Sequence, residues 1–139
     1  MYCGDVAVRP VITITLDKTI EEAAALMTQH NIGLLVIVEK DNPKKPIGVV
    51  SERDLLKAIA NKIPPTETID KVGTIEKFIY VYKDDLITTA AQKMKLHKVR
   101  HLVVLERDGT LYGVISIRDL IGEKSILDIL ARDRAPTEE

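Results

Sequence analysis

The sequence contains itself twice. Offset by 67 positions, Ala23-Ala24 falls on Ala90-Ala91, Met27 on Met94 and His30 on His97. Leu35-Val36-Ile37-Val38-Glu39 then falls on Leu102-Val103-Val104-Leu105-Glu106. After the following turn the offset drops to 65, because the first copy carries two extra turn residues. There Ile47-Gly48-Val49-Val50-Ser51-Glu52-Arg53-Asp54-Leu55 meets Tyr112-Gly113-Val114-Ile115-Ser116-Ile117-Arg118-Asp119-Leu120. One copy of about 60 residues buries too little apolar surface to be more than marginally stable. The two copies are therefore expected to cover each other, and symmetric packing leaves two equivalent clefts between them.

Each copy carries the same order of elements. An extended stretch (Val11 to Thr15, or Phe78 to Tyr82) precedes a helix, then come two apolar strands joined by a turn, then a second helix. The first helix opens with Thr19-Ile20-Glu21-Glu22, a capping box in which the threonine oxygen accepts from an orphan amide while the glutamate reaches back. Ile20, Ala23, Ala24 and Met27 form one apolar stripe at helical spacing. Copy two repeats it as Ile87, Ala90, Ala91 and Met94, but Leu86 stands in the capping place, so Asp85 or Asp84 is expected to cap instead. The strands are short and rich in β-branched residues, as strands buried on both faces are. Asp108-Gly109 marks a tight hairpin turn in copy two, where copy one has the longer connection Lys40 to Pro46. Lys62-Ile63-Pro64-Pro65-Thr66 separates the copies. The expected fold class is α/β (α+β): two tandem β-α-β-β-α repeats packed sheet to sheet with pseudo-two-fold symmetry. The repeats fall at 4–60 and 72–122, with a linker at 61–71 and a C-terminal helix and tail at 123–139.

Charge narrows the partners. Against 21 acidic side chains stand 20 basic ones, a formal charge of −1, which gives no net field to recruit nucleic acid or anionic membrane. Any bound anion must be held locally. The longest apolar run, Leu34 to Val38, is far short of the roughly 20 residues that span a bilayer. The start, Met1-Tyr2-Cys3-Gly4-Asp5, has no signal-peptide character, so the expected location is cytoplasmic. The single cysteine, Cys3, excludes an internal disulfide and reads as a near-terminal thiol without consequence or as a partner in an intermolecular bridge. Three Asn and two Gln among many Lys, Glu and Ile hint at a hot-living source.

The chemistry concentrates at the strand-to-helix junctions Ser51-Glu52-Arg53-Asp54 and Ser116-Ile117-Arg118-Asp119. Serine followed three residues later by an acid is first of all a helix start, with Ser51 and Ser116 as N-caps. Arg53 and Arg118 oppose the macrodipole there, which suggests that each meets an anion, either a ligand phosphate or a neighbouring carboxylate. Asp54 and Asp119 suit the dipole and can also accept both hydroxyls of a ribose. Serine, arginine and aspartate on one helix end thus form a candidate ribose-phosphate cradle. His97-Lys98-Val99-Arg100-His101 adds basic groups ahead of a strand and reads equally as a solvated loop. His30 and His97 favour the dipole at helix C-termini. No Ser-His-Asp order, metal-ligand spacing or Gly-rich phosphate loop emerges.

From about Gly4 to Gly122 the chain resembles a tandem pair of cystathionine-β-synthase (CBS) domains, a Bateman module, of the stand-alone archaeal or thermophile type. The resemblance rests on the two junctions, the helix with paired alanines before each, the strand entries Asn31-Ile32-Gly33 and Lys98-Val99-Arg100, and the lead-ins Asp5 to Pro10 and Val72 to Lys77. It implies regulatory binding of AMP, ADP, ATP or S-adenosylmethionine as ligand, with no cofactor and no catalytic residue. The junction aspartate would hold the ribose, and the serine and its neighbours the phosphate. One cleft would combine Ser116, Arg118 and Asp119 with Ala7, Pro10, Ile12, Ile32 and Gly33. The other would combine Ser51, Arg53 and Asp54 with Thr74, Lys77, Ile79 and Val99. Arg100, placed where basic residues of AMP sensors reach phosphate, could serve either. The second cleft carries more positive charge and suits a phosphorylated ligand better. The family also implies a disc-shaped homodimer and a regulated partner, which the amphipathic stretch Ser125 to Ala131 could contact.

The resulting expectation is a non-enzymatic module that binds an adenine nucleotide and passes its occupancy to a partner. The competing reading is a structural adaptor with empty clefts. A hidden nucleotide hydrolase would need an acidic metal cluster and a base that the sequence does not offer, and nucleic-acid binding through Lys98, Arg100 and His101 would show as steep salt dependence.

Overall fold

The structure, a computed structural model, describes residues 1–132; the end of the expected C-terminal tail lies outside the described residues. In chain order the elements are α1 (Cys3–Val6), β1 (Thr13–Ile14), α2 (Ile20–His30), β2 (Leu34–Glu39), β3 (Asn42–Ser51), α3 (Glu52–Ala60), β4 (Thr74–Ile75) and β5 (Tyr80–Tyr82). There follow α4 (Ile87–His97), β6 (His101–Leu105), β7 (Leu111–Ser116), α5 (Ile117–Ile121) and α6 (Glu123–Arg132). The architecture is the expected α/β one of two tandem repeats, each with its own sheet.

The sheets run β1-β2-β3-β4 and β5-β6-β7. In each, the short first strand lies parallel to the central one, which pairs antiparallel with the next. The central strands explain their own composition. Leu35 and Ile37 point into the copy-one core under α2 and α3, whereas Val36 and Val38 join Val103 and Leu105 in a third core between the sheets. Leu102 and Val104 face the copy-two helices. With both faces buried, apolar residues occupy every position rather than alternate ones.

The lead-in to each copy is built into the other copy. Ile69, ahead of copy two, is fully buried in the copy-one core, and Cys3, ahead of copy one, is fully buried in the copy-two core. Thr74 and Ile75 pair with Val49 and Gly48 at the edge of the first sheet, and Val8 forms the matching bridge to Val114 at the edge of the second. Reciprocal straps of this kind make two marginal units one folding unit.

Three expectations are corrected. Neither Asp84 nor Asp85 caps α4. Its N-cap is Leu86 with no side-chain bond, Asp85 instead accepts from the Tyr82 amide at 2.8 Å, and the Ile87 amide donates to the Met1 carbonyl at 3.1 Å. Copy one makes the same contact, from the Ile20 amide to the Glu67 carbonyl at 2.9 Å, and there the Thr19 box forms in addition, as expected. The connection between β2 and β3 is not a long loop: β3 begins at Asn42 and absorbs the extra residues in register shifts. Cys3 is neither a loose terminal thiol nor open to bridge formation. It is wholly buried, and burial together with the Asp85 charge pushes its pKa up.

Candidate functional site

Both junctions form the same cap. The Ser51 amide donates to Asp54 Oδ2 at 2.8 Å and the Asp54 amide to Ser51 Oγ at 3.2 Å. At the second junction the Ser116 amide donates to Asp119 Oδ2 at 2.8 Å and the Asp119 amide to Ser116 Oγ at 3.2 Å. Ser116 Oγ also donates to Asp119 Oδ2 at 2.9 Å. The capping box is therefore completed by the aspartate itself. It fixes the carboxylate while using one oxygen; among the described residues the other, Oδ1, takes no hydrogen bond. A half-buried carboxylate oriented in this way can accept from a diol without reorganising.

The residues expected around Asp119 fall into two groups. Val8 exchanges backbone hydrogen bonds with Val114, and Ala7 lies directly over Gly113, where an added Cβ would come within 3.0 Å of it. The lead-in therefore runs antiparallel to β7, with Ala7 nearer the Ser116 end and Pro10 beyond it toward Tyr112. Ile12 and Ile32 pack against the copy-one core, and the Gly33 carbonyl accepts from the Glu52 amide at 2.9 Å. The link to Asp119 comes through Glu52, whose side chain lies against Gly33 and whose charge, with those of Asp119, Arg118 and Arg100, acts on His101. Burial is the main influence on that imidazole and lowers its pKa below the ordinary 6.5. A cavity of about 490 Å³ opens on the α6 side of Asp119, with Val6, Arg118, Glu123, Lys124 and Asp128 in its lining. It includes none of Pro10, Ile12, Ile32 or Gly33.

Around Asp54 the pattern repeats. Thr74 pairs with Val49, and Gly48 has no room for a Cβ, which would run into the Thr74 carbonyl. Ile79 and Val99 pack against the copy-two core. The Arg100 carbonyl accepts from the Ile117 amide at 2.9 Å, as Gly33 does from Glu52. Lys77 and Arg53 are exposed and form no ion pair among the described residues. Arg118, by contrast, meets a protein anion: its Nε lies 3.5 Å from Glu123 Oε2.

Sequence reasoning missed Glu52, His101 and Glu123 as site residues. The signal lay in the differences between the copies. Glu52 stands opposite Ile117 and His101 opposite Leu34, each the non-matching member of a well-matched stretch.

The chain is a duplicated α/β module with a carboxylate fixed by a capping box at the strand-to-helix junction of each copy. The family model for the CBS domain matches residues 3–61 and again 69–125, and the chain belongs to the CBS domain family. It is similar to CBS domain protein PAE2072 from Pyrobaculum aerophilum complexed with AMP, at 37% identity and TM-score 0.84, covering 96% of this chain and 100% of that one. It is also similar to the CBS domain pair of protein MJ0100 in complex with 5′-methylthioadenosine and S-adenosyl-L-methionine, at 25% identity and TM-score 0.80, covering 89% and 99%. An uncharacterized 17.7 kDa protein of Acidianus ambivalens is 33% identical over 91% of this chain and 73% of its own length. Of two further curated relatives the chain spans 60% and 53%. No helix of the described residues is long and apolar enough to cross a membrane.

Proposed function

We propose that the protein is a regulatory module that binds an adenine nucleotide in the clefts between its repeats and signals occupancy to a partner protein. The carrying observation is the pair of capped aspartates, each held by its own helix start with one oxygen that takes no hydrogen bond among the described residues. The AMP complex of a relative 37% identical supports the ligand class. The cleft at Asp54 suits AMP, ADP or ATP, because Arg53 and Lys77 offer cations there for phosphate, with Arg100 able to serve either cleft. Signalling would follow from a population shift: a ligand that bridges two repeats favours the arrangement whose cleft fits it. The output surface would be the apolar side of α6, where Ile126, Ile129 and Leu130 are 45, 59 and 61% exposed, covered by the regulated partner or by a second copy in a disc-shaped homodimer.

Calorimetric unfolding with and without AMP, ADP, ATP and S-adenosylmethionine tests the reading. A ligand at a hundredfold excess over its Kd stabilises the native state by about 2.7 kcal/mol, worth roughly 10 °C in midpoint for a chain of this size. The shift should disappear in the double variant Asp54→Ala, Asp119→Ala. No shift with any of these ligands at millimolar concentration would leave the structural adaptor as the better reading.

A further inference from the structure

The two copies diverge one turn after the junction. In copy one the second helix, α3, runs for nine residues, Glu52–Ala60, and Ala58 is buried in the core. In copy two α5 stops after five, Ile117–Ile121. Gly122 and Glu123 stand there in place of Lys57 and Ala58. Gly122 takes the left-handed conformation that ends a helix, with φ 64° and ψ 42°, and α6 starts from Glu123. Instead of entering the core as Ala58 does, Glu123 pairs with Arg118 of the junction, Nε to Oε2 at 3.5 Å.

Little else holds α6. None of its residues is buried. Among the described residues the Arg118–Glu123 pair is the only side-chain hydrogen bond or ion pair that joins it to the rest of the chain. An element with so few buried contacts opens at low cost. Both members of the pair line the cavity beside Asp119. The wall that α6 gives to that cavity carries the carboxylates of Glu123 and Asp128 against the ammonium of Lys124. An anion placed next to Arg118 therefore attracts the guanidinium and repels the helix.

We propose that α6 reports the charge of what occupies the Asp119 cleft: an anionic adenosyl ligand draws Arg118 away from Glu123 and lets the helix pivot outward about Gly122. The proposal rests on the adenosyl-binding reading above and adds how occupancy reaches α6. Ligand and Glu123 compete for one guanidinium, so each weakens the other by the same factor. An exposed pair limits that factor to roughly two- to fivefold, which makes the response graded. An uncharged adenosyl ligand does not compete for Arg118 and leaves α6 in place.

The test is hydrogen exchange of the α6 amides in full-length Asp54→Ala protein, in which the Asp119 cleft keeps its aspartate. Exchange is followed without ligand, with saturating AMP and with saturating 5′-methylthioadenosine, the uncharged probe. AMP should speed exchange across residues 126–132 by roughly two- to fivefold, and 5′-methylthioadenosine should leave it unchanged. Adding Glu123→Gln should speed exchange by the same factor without ligand, and AMP should then add nothing. Arg118→Gln, which leaves Glu123 at the start of α6, should do the same. Asp54→Asn serves as the background should loss of the cap disturb α3. Exchange that AMP leaves unchanged or slows, or that AMP speeds as much in Glu123→Gln, would overturn the proposal while leaving adenosyl binding intact. So would failure of both Asp54 variants to bind AMP when the wild type does, since no phosphate would then reach Arg118. Binding of no adenosyl ligand by the wild type would instead remove the functional reading on which it rests.

Discussion

Cys3 and Ile69 occupy the same place in the two halves of the molecule. The Cys3 amide donates to the Asp85 carbonyl at 2.7 Å and the Ile69 amide to the Lys18 carbonyl at 2.9 Å, and both side chains are fully buried in the core of the opposite copy. Two residues that precede their own repeat therefore clamp the other one. Ile69→Ala should cost about 2–5 kcal/mol and Cys3→Ala roughly 1 kcal/mol, measured by denaturant unfolding. Because each strap joins the copies, the transition should stay single in both variants. Two separate transitions would show that the copies fold independently. The Cys3 thiol should resist alkylation until the protein unfolds.

Gly48 and Gly113 let those straps lie close. A Cβ on Gly48 would strike the Thr74 carbonyl, whereas one on Gly113 would meet Ala7 and the Val8 carbonyl at 3.0 Å. Gly48→Ala should displace β4 from the sheet edge, cost on the order of 1–3 kcal/mol as other overpacked sites do, and weaken nucleotide binding at Asp54 more than at Asp119. Gly113→Ala should reverse that preference. Ligand titration of the two variants in parallel checks it; identical losses at both clefts would mean that the straps do not shape them individually.

The ion pair of Arg118 with Glu123 joins the second junction to α6. Both side chains are substantially exposed, so Glu123→Gln should change stability by less than about 1 kcal/mol. Freed from that carboxylate, Arg118 becomes available to an anion, and AMP binding at the Asp119 cleft should tighten by roughly two- to fivefold in low salt, with the gain shrinking as salt screens it. Titration in the Asp54→Ala background isolates the effect. An unchanged affinity at low ionic strength would show that Arg118 does not face the ligand.

The fold was legible because the repeat supplied it. The matched strands Leu35 to Val38 and Leu102 to Leu105 announced burial on both faces, and Thr19-Ile20-Glu21-Glu22 announced a helix start that forms as written. What escaped was everything that one copy does for the other. The first amides of α2 and α4, Ile20 and Ile87, are met by the Glu67 and Met1 carbonyls of the lead-ins, and no local pattern encodes that. Cys3 looked like a terminal thiol for the same reason. At the candidate site, Ser51, Asp54, Ser116 and Asp119 were readable as caps from spacing alone. Glu52 was not, since it belongs by sequence to one junction and by its field to the other.

His101 gives that shared field a pH signature. Burial, with smaller opposing contributions from nearby charges, lowers its pKa in the folded protein below the ordinary 6.5. Between the two values the unfolded chain binds more protons than the native state, so stability rises with pH there. The contribution of His101 is thus complete above about pH 6.5 and is lost as pH falls through the lower folded value. In His101→Leu, which copies Leu34 of the first repeat, the imidazole's share of the slope should disappear. Urea unfolding from pH 7.5 to pH 5 should then show wild type losing stability relative to the variant by up to about one proton's worth of slope. In Glu52→Gln, removal of a carboxylate that favours the imidazolium should lower the folded pKa further, so that the loss is larger and continues to lower pH than in wild type. Parallel curves for wild type and His101→Leu would mean that the imidazole is solvated in the native state, and that Glu52 and Asp119 do not share it.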